Sequence, residues 1–181
     1  MLEKTHMREI IKDKAVIADD WTLLQLAEGD TPETVAVLAG KVIVPLKVWQ
    51  AQQAALQGRG DIGVWIASDE RPEALKGEVQ NFPVIAVDFP KFSDGRGYSI
   101  AYNLRARLGY TGELRAIGDV LRDQLFYMQR VGFNAFATRP DRNIHDALKG
   151  LTDFSEAYQA SWDQKAPLFR RTNREEKALQ E

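Results

Sequence analysis

The residues best suited to chemistry lie between Phe89 and Ser99. An apolar stretch, Pro83 to Phe89, runs into Pro90-Lys91-Phe92-Ser93-Asp94-Gly95-Arg96-Gly97-Tyr98-Ser99. A segment with Ile100, Leu104 and Leu108 at four-residue spacing follows. That order reads as strand, loop, helix. Asp-Gly and Gly-Arg-Gly permit positive φ, so backbone N–H groups can turn toward one point. The positive end of the following helix adds to this. Arg96 supplies a fork of donors suited to phosphate, sulfate or carboxylate. Asp94, Gly95, Arg96, Gly97, Tyr98 and Ser99 therefore read either as an anion cradle or as a tight turn with solvated charges.

Arginines form the second group. Arg105, Arg107, Arg115, Arg122, Arg130 and Arg139 all lie in the same half of the chain. Arg115 sits between Leu114 and Ala116 in an apolar run, so its charge requires a carboxylate or a bound anion. Asp88, Asp94 and Asp119 are the carboxylates expected to supply it, and a structural ion pair is the simpler outcome. Asp119 reads first as a helix cap and second as a ligand. Arg139 follows a strand, where it could face the same rim. His145, with Asp141 and Asp146 nearby, has the composition of a general base and more simply that of a surface histidine. Gly58-Arg59-Gly60-Asp61-Ile62-Gly63 spells G-x-G-x-x-G but follows a helix and precedes a strand, the reverse of the dinucleotide-binding context. It reads as a helix stop and a turn.

Several chemistries are excluded outright. With no cysteine there is no disulfide, thiolate nucleophile, Cys zinc site or protein-ligated iron–sulfur cluster. His6 and His145 are the only histidines, too few for a multi-histidine metal site. No metal and no resident cofactor are expected, with a non-covalent flavin or nucleotide left open. The 181 residues carry 24 Lys plus Arg against 26 Asp plus Glu, a net charge of -2 that gives no electrostatic case for nucleic-acid binding. The charged start MLEKTHMREIIKDK and the lack of any long apolar run predict a soluble cytoplasmic protein without membrane contact. Oligomeric state and catalysis are not decided by these residues.

The elements that would position these groups follow from periodicity. Strands are expected over 8–11 and 15–18, which could pair as a hairpin arm, with a linker carrying some helix over 30–40. From Gly40 onward, strands at 41–46, 62–67, 83–89, 113–118 and 134–138 alternate with helices at 47–57, 99–110, 119–133 and 143–154. A sixth strand is expected near Tyr158. Continuous apolar strands between helices indicate an α/β fold with a mainly parallel sheet of five to six strands flanked by helices. The chain is too short for a closed (β/α)₈ barrel, which needs ~250 residues. An open sheet or incomplete barrel is expected, with a short N-terminal β arm over 1–40, the α/β domain over 41–169 and a charged tail over 170–181.

The run Phe89 to Ser99 is followed by Leu104-Arg105, by Gly112-Glu113-Leu114-Arg115-Ala116-Ile117-Gly118-Asp119-Val120, by Asp123-Gln124 and by Arg130-Val131-Gly132-Phe133. Together these resemble an uncharacterised bacterial family whose genes commonly lie beside assimilatory sulfite reductase and whose members are often labelled probable oxidoreductases. The resemblance covers about residues 40 to 160. It implies a role in sulfate or sulfite reduction for cysteine synthesis, with sulfite reductase as partner. It also carries signature positions at Asp94, Gly95, Arg96, Gly97, Tyr98, Ser99, Arg105, Arg115, Gly118, Asp119, Asp123 and Arg130. Two functions are then expected in turn: an accessory protein that binds the sulfite-reducing machinery, or a small oxyanion- or nucleotide-binding enzyme of the same pathway. An exposed apolar patch favours the first, and a concave rim with converging Arg96 and Arg115 the second.

Overall fold

The computed structural model describes residues 8–171. Eight strands form one sheet in the order β2-β1-β8-β7-β6-β5-β4-β3. The strands are β1 (Glu9–Lys12), β2 (Ala15–Ala18), β3 (Thr22–Leu23), β4 (Val42–Pro45), β5 (Ile62–Ile66), β6 (Val84–Phe89), β7 (Glu113–Gly118) and β8 (Ala135–Phe136). Strands β3 to β8 run parallel, whereas β1 is antiparallel to both β2 and β8. The helices are α1 (Leu46–Leu56), α2 (Arg96–Ala106), α3 (Leu125–Val131), α4 (Ile144–Lys149) and α5 (Leu168–Arg171). The fold is α/β and mostly parallel, but the sheet exceeds the five to six strands expected. The surplus comes from the first forty residues, whose three strands join the sheet at both of its ends.

That arrangement forces the sheet to curl. Strands β2 and β3 are its two edges, yet only Asp19, Asp20 and Trp21 separate them in the chain. Across a flat eight-stranded sheet the edges would stand about 34 Å apart, at about 4.8 Å per step. Four Cα–Cα steps reach at most about 15 Å. The sheet therefore wraps into a curled half-barrel.

Sequential parallel strands joined by right-handed crossovers put every connecting helix on the same side. The outer layer holds the main core, with Val44, Val64, Ile85, Val87, Leu114 and Phe136 under Val48, Leu104, Leu125 and Met128. The inner side holds a smaller cluster of Ile10, Ile43, Val84, Ala86, Ile117 and Ala137, with Trp21, Leu23 and Trp65 against it. Gly63, paired with Ile43, lies on this inner side and is glycine because a Cβ there would come within 2.9 Å of the Val84 carbonyl oxygen.

Several element boundaries differ from the periodicity. Helix α2 starts at Arg96 rather than Ser99, because the Asp94 carboxylate accepts the Arg96 backbone N–H at 3.1 Å. The stretch expected as one helix from Asp119 opens instead with a 3₁₀ turn at Arg122–Gln124 before α3. Asp119 does not cap it, since its carboxylate bonds elsewhere. Beyond β8 the helix is short, α4 followed by a 3₁₀ turn, and Asn143 caps it through Asp146 N–H. Residues 30–40 hold turns and no helix, and no strand forms near Tyr158. The expected charged tail lies, from residue 172 on, outside the described residues, as does His6.

Candidate functional site

Parallel strands share one carboxyl edge, so the loops after β5, β6, β7 and β8 meet at one rim. Ser68 follows β5, the Asp94 loop follows β6, Asp119 follows β7 and Arg139 follows β8. Arg96 grips Asp94 with a fork, Nε to Oδ1 at 3.0 Å and Nη2 to Oδ2 at 2.7 Å. Its Nη2 also donates to Ser68 Oγ at 2.9 Å, tying the β6 loop to the end of β5. Asp119 Oδ2 accepts the Phe92 N–H at 2.8 Å, and its Oδ1 accepts from Arg139 Nη1 at 3.1 Å. Arg139 forks in turn onto Asp141, with both bonds at 2.9 Å. Ser68, Arg96 and Asp94 thus form one charge-assisted cluster on the rim and Asp119, Arg139 and Asp141 a second, which the Phe92 N–H ties to the β6 loop.

Gly97 serves packing rather than an N–H cradle, whereas a Cβ at Gly95 would meet nothing within 4 Å. Gly95 has φ -79 and Gly97 lies inside α2, so neither takes the positive φ that would turn N–H groups to a common point. Gly97 is glycine because a Cβ would meet the Phe89 ring at 2.6 Å. The Phe92 N–H and the Arg96 N–H, Nε and Nη2 are already taken by the Asp119 and Asp94 carboxylates and Ser68, and an added anion would face both carboxylates. Arg96 holds the Asp94 carboxyl well below the usual range through its side-chain hydrogen bond. Asp88 is the opposite case. It precedes the last residue of β6, on the inner side, half-buried and with no side-chain hydrogen bond among the described residues. Burial, and then the nearby charge of Asp94, push its carboxyl up. Gly118, at φ +90, leaves room for it, since a Cβ there would stand 2.5 Å from Asp88 Oδ1.

Tyr98 and Ser99 open the outer face of α2. The Tyr98 ring packs edge-on against Phe89 at 5.3 Å and Tyr127 at 5.1 Å. A shallow groove of about 280 Å³ runs between α2 and α3, lined by Tyr98, Ser99, Tyr102, Asn103 and Tyr127.

The other expected site residues lie elsewhere. Arg105 is buried at the amino end of the sheet, where Nη1 donates to the carbonyls of Tyr110 (2.8 Å) and Gly112 (2.9 Å). Its Nε donates to Gly132 O at 2.9 Å and its Nη2 to Asn134 Oδ1 at 3.2 Å. Arg130 clamps the C-terminal segment, through Asp163 at 3.3 Å and the Gln159 carbonyl at 2.5 Å. Arg115 is 3% exposed inside the half-barrel. It bonds Asp19 at 3.0 Å and Glu113 at 2.7 Å, and Lys12 completes the set on Glu113 at 2.8 Å. Arg115 does not converge with Arg96. The expected partners Asp88, Asp94 and Asp119 are not its ligands. Asp19 is, brought in from 96 residues away by the curl of the sheet. Ser68 carried no signal in sequence, whereas Arg139 reaches the rim its position after a strand indicated.

Among the described residues no group of three or more His, Cys, Asp or Glu is placed to hold a metal ion, and no helix is long and apolar enough to cross a membrane. No curated protein and no solved structure matches the chain. Residues 63–169, which span β5 to the start of α5 and hold the whole charged rim, match a bacterial family described as protein of unknown function (DUF934). With more than half of its length matched, the chain belongs to that family.

Proposed function

We propose that this protein is an accessory of assimilatory sulfate and sulfite reduction that works by docking on the sulfite-reducing machinery rather than by turning over a substrate alone. The carrying observation is where the unused surface lies. The charged signature residues Asp94, Arg96, Arg105, Arg115, Asp119 and Arg130 are all bonded within the fold, while Phe92, Tyr102 and Tyr127 stand 56%, 42% and 58% exposed. All three belong to the β6–α2 loop and the α2–α3 face, and Gln124 of the turn before α3 bonds the Phe92 carbonyl. Aromatic rings held on rigid elements beside a bonded polar loop have the makeup of a docking patch. The tyrosines contribute large contact area at small entropic cost. Resemblance to proteins encoded beside sulfite reductase supplies the identity of the partner.

The test joins growth to binding. A strain lacking the gene should fail on sulfate and on sulfite and recover with cysteine. The purified protein should bind sulfite reductase, and the Tyr102→Ala, Tyr127→Ala pair should lose that binding while keeping its melting temperature. Growth on sulfite with failure on sulfate would move the role upstream. Equal growth on all three sources would overturn the proposal.

A further inference from the structure

A second surface, independent of the docking face, has the makeup of a ligand site. At the carboxyl end of β8 the sheet turns from parallel to antiparallel, because β1 pairs with β8 in the opposite sense. The residues that enter β1 therefore stand beside those that leave β8. Between them and the start of α4 opens a cleft of about 940 Å³, within the range of small-molecule sites. Arg8 comes from the entry to β1, Arg139 and Arg142 from the loop after β8, and His145 from α4. Three guanidinium groups gather here in a chain whose net charge is -2.

Their bonding states differ. Arg139 is spent on Asp119 and Asp141, which fixes the loop as one wall. Arg142 reaches Asp141 only at 3.8 Å, and that carboxylate already holds the Arg139 fork. Arg8 makes no side-chain hydrogen bond or ion pair among the described residues, and neither does His145. Among the described residues the cleft thus holds two cations with free donors, from different elements, against one lining carboxylate, Glu9. Thr138, Asn143 and Glu9 add polar groups suited to hydroxyls. No Phe, Tyr or Trp lines the cleft, so nothing in it stacks a nucleobase.

We propose that this cleft binds a phosphorylated sugar or polyol, with Arg8 and Arg142 clamping the phosphate and Glu9, Thr138 and Asn143 receiving the hydroxyls. Arginines from two elements match a tetrahedral dianion, for which paired N–H donors add both geometry and charge. The site lies at the carboxyl end of the parallel strands, where ligands of such sheets bind.

Isothermal titration calorimetry of the full chain at low ionic strength tests this with three probes: glucose 6-phosphate, inorganic phosphate and glucose. Glucose 6-phosphate should bind at one site and tighter than inorganic phosphate, and glucose should not bind. Arg8→Gln and Arg142→Gln should each weaken the sugar phosphate on the order of tenfold. Arg107→Gln, at the far end of α2, should leave its affinity unchanged. Both cleft arginines are exposed, so circular dichroism should show an intact fold in each variant. No saturable binding of glucose 6-phosphate, or unaltered affinity in both cleft variants, would overturn the proposal. Equal affinity for inorganic phosphate and its sugar ester would overturn the sugar-binding part.

Discussion

Arg115 shows how far a single residue can be read from its neighbours. A guanidinium inside an apolar strand demanded a partner, and it has two, Asp19 at 2% and Glu113 at 5% exposure. The demand was legible in Leu114-Arg115-Ala116, but the identity of Asp19 was not, because nothing local brings residue 19 to residue 115. Removing one member of a buried ionic set leaves the others uncompensated, at about 3–5 kcal/mol. Arg115→Met should therefore lower Tm by about 10 °C, at about 2–4 °C per kcal/mol for a chain of this size. Adding Asp19→Asn should cost less than the sum of the two single changes, and a double-mutant cycle in urea measures the difference. Asp88 is predicted to act in the opposite sense. Its folded carboxyl is pushed up by burial and by Asp94, so ionising it disfavours the fold. The penalty is absent below the unfolded value, near ~4, and grows as pH rises through the higher folded value. Asp88→Asn should raise Tm at pH 7, and the gain should vanish as the pH is brought below ~4. A gain that persists in acid would show that another interaction, not the charge, separates the two side chains.

At the scale of elements, the strands were the most legible part. Ile62 to Ala67 is an unbroken apolar run, Pro83 to Phe89 and Glu113 to Gly118 are apolar but for Asp88, Glu113 and Arg115, and burial on both sides is what produces such runs. Helix starts were less legible, because they depend on which side chain reaches the first N–H groups. Asp94 reaches Arg96 and starts α2 early, while Asp119 is drawn off to Phe92 and Arg139 and leaves α3 to start late. The two-residue strand β3 has no periodicity to detect, and its existence rests on Val42 and Ile43 beside it. The glycines of the Asp94 loop permit positive φ but do not take it; Gly97 instead marks close packing of α2 on the sheet. Gly97→Ala should cost about 1–3 kcal/mol through overpacking against Phe89. Phe89→Leu in the same chain should recover part of that loss. If Gly97→Ala is neutral by thermal melting, the helix has room that the Phe89 contact denies.

The shape of the whole molecule follows from three residues. Asp19, Asp20 and Trp21 connect one edge of an eight-stranded sheet to the other, which only a curled sheet allows. Chain length indicated an open sheet or an incomplete barrel. The closing segment was out of reach, since reading 1–40 as an arm gives no reason for it to pair at both edges. Curling also sets where stability is lowest. Strands β5, β6 and β7 are flanked on both sides, share long registers and lie under α1, α2 and α3, so their amides should open only with the whole fold. Strand β2 has one neighbour, and most of its residues are exposed. Strand β3 contributes two residues. What holds these edges is the link between them, through Asp19 on Arg115, the Asp20–Lys41 ion pair and the Trp65 indole on the Leu24 carbonyl at 2.9 Å. Hydrogen exchange should accordingly show full protection for Ile85, Val87, Leu114 and Ala116, and early exchange in β2. Arg115→Met should release the Thr22 and Leu24 amides well before it affects β6. Uniform loss of protection in that variant would mean that the edges and the centre of the sheet open as one unit, so that the link supports the entire half-barrel rather than its two ends.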